Sequence, residues 1–365
     1  MTEKFWYKVA RTIAKSGVFP VPISEHLKEL LQNLLTEDQA KFLLIFKKPS
    51  MTLEQIKQRI DMEEETIITM LNTLMHNGII IGAKSKSTGV MVYRLMGLYP
   101  GIFEYTFLRG TTTERDNKLA ELFEKSFQKI SEGTQKNYDN IINVFKDLPP
   151  TDRTLPVEKE VEVGTEMVVP FEDIKKYIEE YEDIAVAHCY CRHWKDLLND
   201  PCKLGAPKKN CFLLDKSAQF AIEQNFGRRV SKEEAIKILK EAEDYGLVHK
   251  VFHVHSDLDR GIEAICNCCK CCCGILNFYS RGALPLHTVS SYLAKVDEEI
   301  CSGCAICVNI CPMETINVDD TLAVVHEEKC IGCGLCAYHC TEQAIHLKRT
   351  GPRDVFLLPK RIKTE

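Results

Sequence analysis

Eight cysteines toward the C-terminal end follow one pattern written twice: Cys301, Cys304, Cys307 and Cys311 recur 29 positions later as Cys330, Cys333, Cys336 and Cys340. Thiolates at two-residue gaps, with a fourth after three residues, form the ligand run of paired iron-sulfur cubanes. Three of them wrap one face of a cluster, and the fourth, past a short turn, is delivered to the neighbouring cluster. The spacing predicts one 4Fe-4S cluster on Cys301, Cys304, Cys307 and Cys340, and a second on Cys330, Cys333, Cys336 and Cys311. Such a pair carries single electrons. Two four-cysteine zinc sites are the alternative, but zinc sets rarely show this four-cysteine spacing twice over.

On these residues the segment from about 296 to 347 resembles the bacterial-type two-cluster ferredoxins. The resemblance implies a small fold with an internal twofold that works at low potential. Duplication extends beyond cysteine, since Ile316 and Ile345 each lie five residues after the last cysteine of their copy, where an apolar residue shields the clusters. One departure is visible: Pro312 follows Cys311 as the family pattern asks, whereas Thr341 follows Cys340. Proline there fixes a turn and supplies no ligand, so ligation should survive its loss.

Ten further cysteines form two groups, Cys189, Cys191, Cys202 and Cys211, then Cys266, Cys268, Cys269, Cys271, Cys272 and Cys273. Six within eight residues would be an oxidisable liability with no packing benefit, so metal binding is the better reading. The expected scheme places a third cluster on Cys189, Cys191, Cys202 and Cys211. A fourth would take Cys266, Cys269 and Cys272, at the two-residue gaps of the ferredoxin copies, with Cys268 or another neighbour. Overlapping registers, mixed ligation between the groups and a zinc ion on the first group all stay open. His188, His193, His249, His253 and His255 flank the two groups as further candidate ligands or proton carriers, and Arg192, Arg260 and Arg281 could raise a cluster's potential. The pattern of Cys-x-Cys-Arg, then Cys-Asn-Cys-Cys-x-Cys-Cys-Cys-Gly ahead of a ferredoxin repeat, resembles larger ferredoxin-domain proteins of anaerobic bacteria and archaea. That likeness, over about 150 to 347, implies electron transfer with additional clusters and no particular reaction.

The elements that must position these thiols read as an α+β, multidomain chain. Residues 1–150 are expected to be a helical, winged-helix-like docking domain, 151–290 an α/β cysteine-rich domain, and 291–365 the ferredoxin fold with a basic tail. Ser24 can cap a helix carrying Leu27, Leu30, Leu31 and Leu34, and Thr36 with Gln39 and Thr52 with Gln55 form capping boxes. A further helix buries Ile67, Leu71, Leu74 and Met75 and stops at Gly78, before two strands at Ile79 to Ala83 and Val90 to Leu95. Helix, helix, turn, helix and a two-stranded wing resemble a winged helix. Between Leu53 and Asn77, however, five acids face only Lys57 and Arg59, and a helix entering the major groove must be attracted by phosphate, not repelled. Protein docking is therefore the expected role, and DNA binding is not. Farther on, helices are expected around Leu119 to Phe127, Ile141 to Phe145, Phe171 to Tyr181 and Ser231 to Tyr245, with extended chain at Leu155 to Val169, Ile184 to Ala187 and Leu247 to Val254.

A length of 365 residues allows two or three cores, and 18 cysteines without a signal-peptide-like or membrane-spanning apolar run suggest a reducing, anaerobic cytoplasm. The net charge of -5 hides an asymmetry. From Val296 to His346 nine acids oppose Lys329 alone, and Lys348, Arg349, Arg353, Lys360, Arg361 and Lys363 follow. Such an acidic face either solvates the domain or steers it to a basic redox partner. No dinucleotide fingerprint or P-loop is present. The sequence thus predicts an electron carrier, or the electron-transfer subunit of a larger oxidoreductase complex, with an iron-sulfur redox-sensing regulator as the alternative. An enzyme with substrate at an incompletely ligated iron is a third reading.

Overall fold

The computed structural model describes residues 2–17, 19, 21–150, 152–157, 173–253 and 261–362. Helix α1 (Glu3–Ser16) leads to α2 (Glu25–Leu34), α3 (Glu37–Leu43), strand β1 (Ser50–Thr52), α4 (Leu53–Lys57), α5 (Glu64–His76), β2 (Ile80–Lys84) and β3 (Met91–Leu95). Both expected capping boxes form. Thr36 Oγ1 accepts from the Gln39 N–H at 3.2 Å while the Gln39 side chain returns the bond at 3.0 Å, and Thr52 and Gln55 do the same at 3.4 and 3.0 Å. Ser24 caps α2 through the Leu27 N–H. Each such cap contributes about 1 kcal/mol. Gly78 ends α5 at a φ of +69°, and a Cβ there would lie 2.2 Å from Tyr105 Cβ, so only glycine fits. Strand β1, too short to show a sequence period, completes a sheet of order β1-β3-β2.

Helices α6 (Ile102–Phe107), α7 (Glu114–Lys136) and α8 (Tyr138–Lys146) follow. Phe103 is the centre of an aromatic cluster, edge-to-face with Phe123, Phe127, Tyr190 and Trp194 at 5.0 to 5.7 Å between centroids. Each pair adds roughly 0.5–1.5 kcal/mol beyond its buried area. Trp194, fully buried, also donates to the Ala120 carbonyl at 3.1 Å. The N-terminal core therefore grips the helix that carries Cys191.

The remaining elements are β4 (Asp152–Leu155), α9 (Ile174–Glu180), β5 (Ile184–His188), α10 (Tyr190–Leu197), β6 (Lys209–Leu214), α11 (Asp215–Glu223), β7 (Gly227–Arg229), α12 (Lys232–Asp244), β8 (Val248–His253), β9 (Ile262–Cys268), α13 (Gly274–Ser280), β10 (Leu286–Val296), α14 (Ile306–Ile310), β11 (Ile316–Asp319), β12 (Leu322–Val325), α15 (Leu335–Tyr338) and β13 (Ile345–Leu357). Most of the expected helices and strands appear here, while 158–169 of the extended stretch, His255 and Arg260 lie outside the described residues.

Eight strands join in the order β13-β10-β4-β8-β9-β6-β5-β7. All neighbours are antiparallel except β10 and β4. β10 pairs with β13 from Leu286↔Leu357 to Val296↔Ile345, so the strands flanking the ferredoxin cysteines are also the edge of the central sheet. The boundary expected at 290 falls inside β10. At the sheet centre the Lys250 ammonium lies 2.5 Å from the Asp152 carboxylate, with Thr154 and Thr288 hydroxyls at 3.4 Å, and both charged side chains are fully buried. Among the described residues no helix is long and apolar enough to cross a membrane.

Candidate metal centres

The ferredoxin thiols line two separate cavities. Cys301, Cys304, Cys307 and Cys340 line one cavity, closed by Ala323, Ala344 and Ile345. Cys311, Cys330, Cys333 and Cys336 line another, closed by Met313, Ile316, Val325 and Ile331. Ile316 and Ile345 thus do shield the two cavities. The duplication reaches the backbone: Gly303 and Gly332, Ala305 and Gly334, and Glu314 and Gln343 all have positive φ. A Cβ on Gly303 would lie 2.3 Å from the Thr321 carbonyl oxygen, and one on Gly332 2.3 Å from that of Tyr292. These two glycines let the cysteine loops press against the turn after β11 and against β10.

Backbone donors point at the sulfurs. The N–H groups of Gly332, Thr315 and Ala344 lie 3.4, 3.5 and 3.3 Å from the Sγ atoms of Cys330, Cys311 and Cys340. Burial pushes the Cys336 thiol far above its ordinary value, so it becomes a thiolate only with a cation beside it. Four convergent thiols with N–H donors and an apolar cover fit a cubane at each cavity. The half-buried Arg353 guanidinium donates to the carbonyls of Cys330 and Tyr292.

The central cysteines are regrouped relative to the expected sets. Six of them, Cys189, Cys191, Cys273, Cys268, Cys266 and Cys211, ring one cavity, which Cys269 also borders. Strand geometry explains this membership. Cys266 and Cys268 are two apart on β9 and share a face, and the pairing of Phe212 with Ile265 sets Cys211 beside Cys266. Cys189 lies between β5 and α10, and Cys191, in the first turn of α10, borders the same cavity.

Cys202, expected with Cys189, Cys191 and Cys211, instead joins Cys269, Cys271 and Cys272, all four sulfurs lying within 4.8 Å of one another. Cys269 and Cys272, expected with Cys266 and Cys268, lie beyond the end of β9, where the chain leaves the strand. Cys271 and Cys273, neighbours that the overlapping registers leave open, join the Cys202 group and the ring cavity respectively. The signal that could have found them is the switch from alternation within the strand to a tight turn after Cys268.

Arg192, 1% exposed, supports the ring. It donates to the Asn267 carbonyl at 3.1 Å and to Asn210 Oδ1. Burial opposes its charge, but the sulfurs of Cys189, Cys211 and Cys269 hold its pKa above the usual arginine value. Thiol hydrogen bonds from Cys191 and Cys211, aided by Arg192, hold Cys189 well below the ordinary thiol range against its burial. Two of the flanking histidines have protein partners: His249 bonds Asn267 at 2.6 Å and Glu243 at 3.1 Å, and His193 bonds the Thr111 carbonyl at 2.7 Å. Arg281 is paired with Glu124 at 2.6 Å.

The ring sulfurs and those of Cys307, Cys311, Cys330, Cys333 and Cys336 belong to one continuous apolar core. Residues 293–341 match the family described as 4Fe-4S dicluster domain. No curated protein matches the chain, and no solved structure does. The C-terminal part therefore carries a dicluster 4Fe-4S domain, and the chain is an iron-sulfur protein.

Proposed function

We propose that this chain is a low-potential electron-transfer protein, or the electron-transfer subunit of a larger anaerobic oxidoreductase in the cytoplasm. In this reading Cys301, Cys304, Cys307 and Cys340 hold one cluster, Cys311, Cys330, Cys333 and Cys336 a second, and the six-sulfur ring an additional one. A 4Fe-4S cluster supplies the capacity to accept and return one electron. The residues around each cavity bind it, exclude water and aim N–H donors at the sulfurs.

The observation that carries this reading is that three thiol-lined cavities border one continuous apolar core. Electrons would enter or leave at the ferredoxin end, where Cys304 is exposed and the surface acidic, which suits a partner with a basic patch.

The order α3, β1, α4, α5, β2, β3 of the N-terminal unit suits a winged helix used for protein contact. The loop after β2 is engaged within the chain, with Lys86 paired to Asp215 at 3.1 Å and the Lys84 carbonyl accepting from Lys216. Lys57, at the start of the acidic stretch, is held by Glu64 at 2.5 Å and Glu54 at 3.5 Å. Both features favour docking over DNA regulation.

The test is an oxygen-free redox titration of the full chain followed by electron paramagnetic resonance. Signals of reduced, mutually coupled clusters at low potential are expected. A chain that gains no such signal under strong reductant would refute the proposal.

A further inference from the structure

Four thiols of the central region have a different geometry from the rest. Cys202 Sγ lies 3.8 Å from Cys269 Sγ and 3.8 Å from Cys271 Sγ, and Cys271 Sγ lies 3.6 Å from Cys272 Sγ. A single ion bound tetrahedrally by thiolates at about 2.3 Å places its ligands ~3.8 Å apart, since a tetrahedron's edge is about 1.6 times its centre-to-vertex distance. A cubane spreads its thiolates over four separate irons and needs them much farther apart. The protein supplies its own comparison: among the described residues no other three thiols gather this closely, including the eight of the ferredoxin unit.

We propose that Cys202, Cys269, Cys271 and Cys272 bind one zinc ion in a closed, sulfide-free tetrathiolate site. It rests on different residues from the cluster sites, apart from Cys269, which also borders the ring cavity.

The surroundings point to a structural ion. Cys269 and Cys272 are buried and pack with Ala206, Ala242 and Leu247 in a small core of their own, apart from the core shared by the ring and the ferredoxin thiols. The site is thus set off from the path between clusters. Backbone N–H groups of Ala206 and Lys203 face the sulfurs of Cys202 and Cys271, and the Lys203 ammonium, which also pairs with Asp200 at 2.6 Å, lies near Cys271 and Cys272. Four thiolates fill a tetrahedral shell and leave no open position for substrate.

Topology supplies the purpose. Cys202 lies in the loop after α10, and the other three occupy the turn between β9 and α13. One ion would tie that loop to that turn. The turn delivers Cys266 and Cys268 to the ring on its strand side and Cys273 on its helix side, so the ion would fix the spacing of half the ring.

Zinc K-edge X-ray absorption on the unmodified, anaerobically purified chain is the direct test, together with zinc, iron and sulfide counts for Cys202→Ser. We expect about one zinc per chain in a shell of four sulfurs at about 2.3 Å. Cys202→Ser should lose that zinc and keep the sulfide of the two ferredoxin clusters. Absence of zinc, a shell containing nitrogen or oxygen, a sulfide-free iron held in its place, or zinc retained at the wild-type level in Cys202→Ser would each overturn the assignment. Loss of iron and sulfide with zinc retained in the unmodified chain would instead count against the electron-transfer reading. Because the absorption measurement uses the native chain, misfolding of the variant cannot mimic a negative result.

Discussion

Replacing Arg353 with methionine should make one of the two ferredoxin potentials more negative and leave the other almost unmoved. The guanidinium is anchored on the carbonyl of Cys330, a residue of the second cavity, and sits on β13 away from Cys301 and Cys304. A unit charge ~6 Å from the site of added electron density, at an effective dielectric of ~20, is worth ~3 kcal/mol, and partial exposure reduces that to ~1.5 kcal/mol. For a one-electron couple this is ~60 mV. Removing a positive charge disfavours the more negative reduced state, so the shift is downward. Voltammetry of the wild type, Arg353→Met and Arg353→Lys under argon measures it, with lysine expected to restore most of the lost potential. An unmoved pair of potentials, an upward shift, or equal shifts for methionine and lysine would refute the electrostatic reasoning. The last outcome would assign the effect to the carbonyl hydrogen bonds.

Cys340→Ser should impair the cluster on the Cys301, Cys304 and Cys307 side and spare the one on Cys330, Cys333 and Cys336, which resonance of the two signals would resolve; the reverse outcome would mean that each repeat closes its own cluster. Lys250→Met leaves the Asp152 carboxylate buried without its ammonium partner, and should cost roughly 3–5 kcal/mol in denaturant unfolding, much of it recovered when Asp152→Leu is added. Burial pushes the Glu104 carboxyl up to about 7 from an ordinary value of 4.5. A folded-state pKa raised above the unfolded one gives stability that is fully present below about 4.5 and is lost as pH rises toward 7, because the unfolded chain releases its proton first. Glu104→Gln, which keeps the acceptor for the Gly101 N–H, should flatten that window and stabilise the chain at pH 8. A pH profile parallel to the wild type would contradict this.

The ferredoxin unit was legible because its ligands are local in sequence and duplicated. Cys301 to Cys311 predict their own geometry, and Ile316 and Ile345 announced the covers. Gly303 and Gly332 carried an equally good signal in the same repeat, but their role needs the close approach of Thr321 and Tyr292, which spacing alone does not show. Which central cysteines gather was not legible, for a physical reason: proximity along the chain cannot choose between the open registers, whereas β6 and β9 pair across the sheet and bring Cys211 to Cys266. The N-terminal caps at Ser24, Thr36 and Thr52 were readable as local hydrogen-bond chemistry. The union of β10 and β13 with the central sheet was not, because strand partners with intervening domains leave no local trace.

Counting iron and acid-labile sulfide per chain in an oxygen-free preparation tests the central claim most directly. Two ferredoxin clusters and one in the cysteine ring predict about twelve of each. A preparation with no inorganic sulfide, its thiols occupied by zinc alone, would contradict the account.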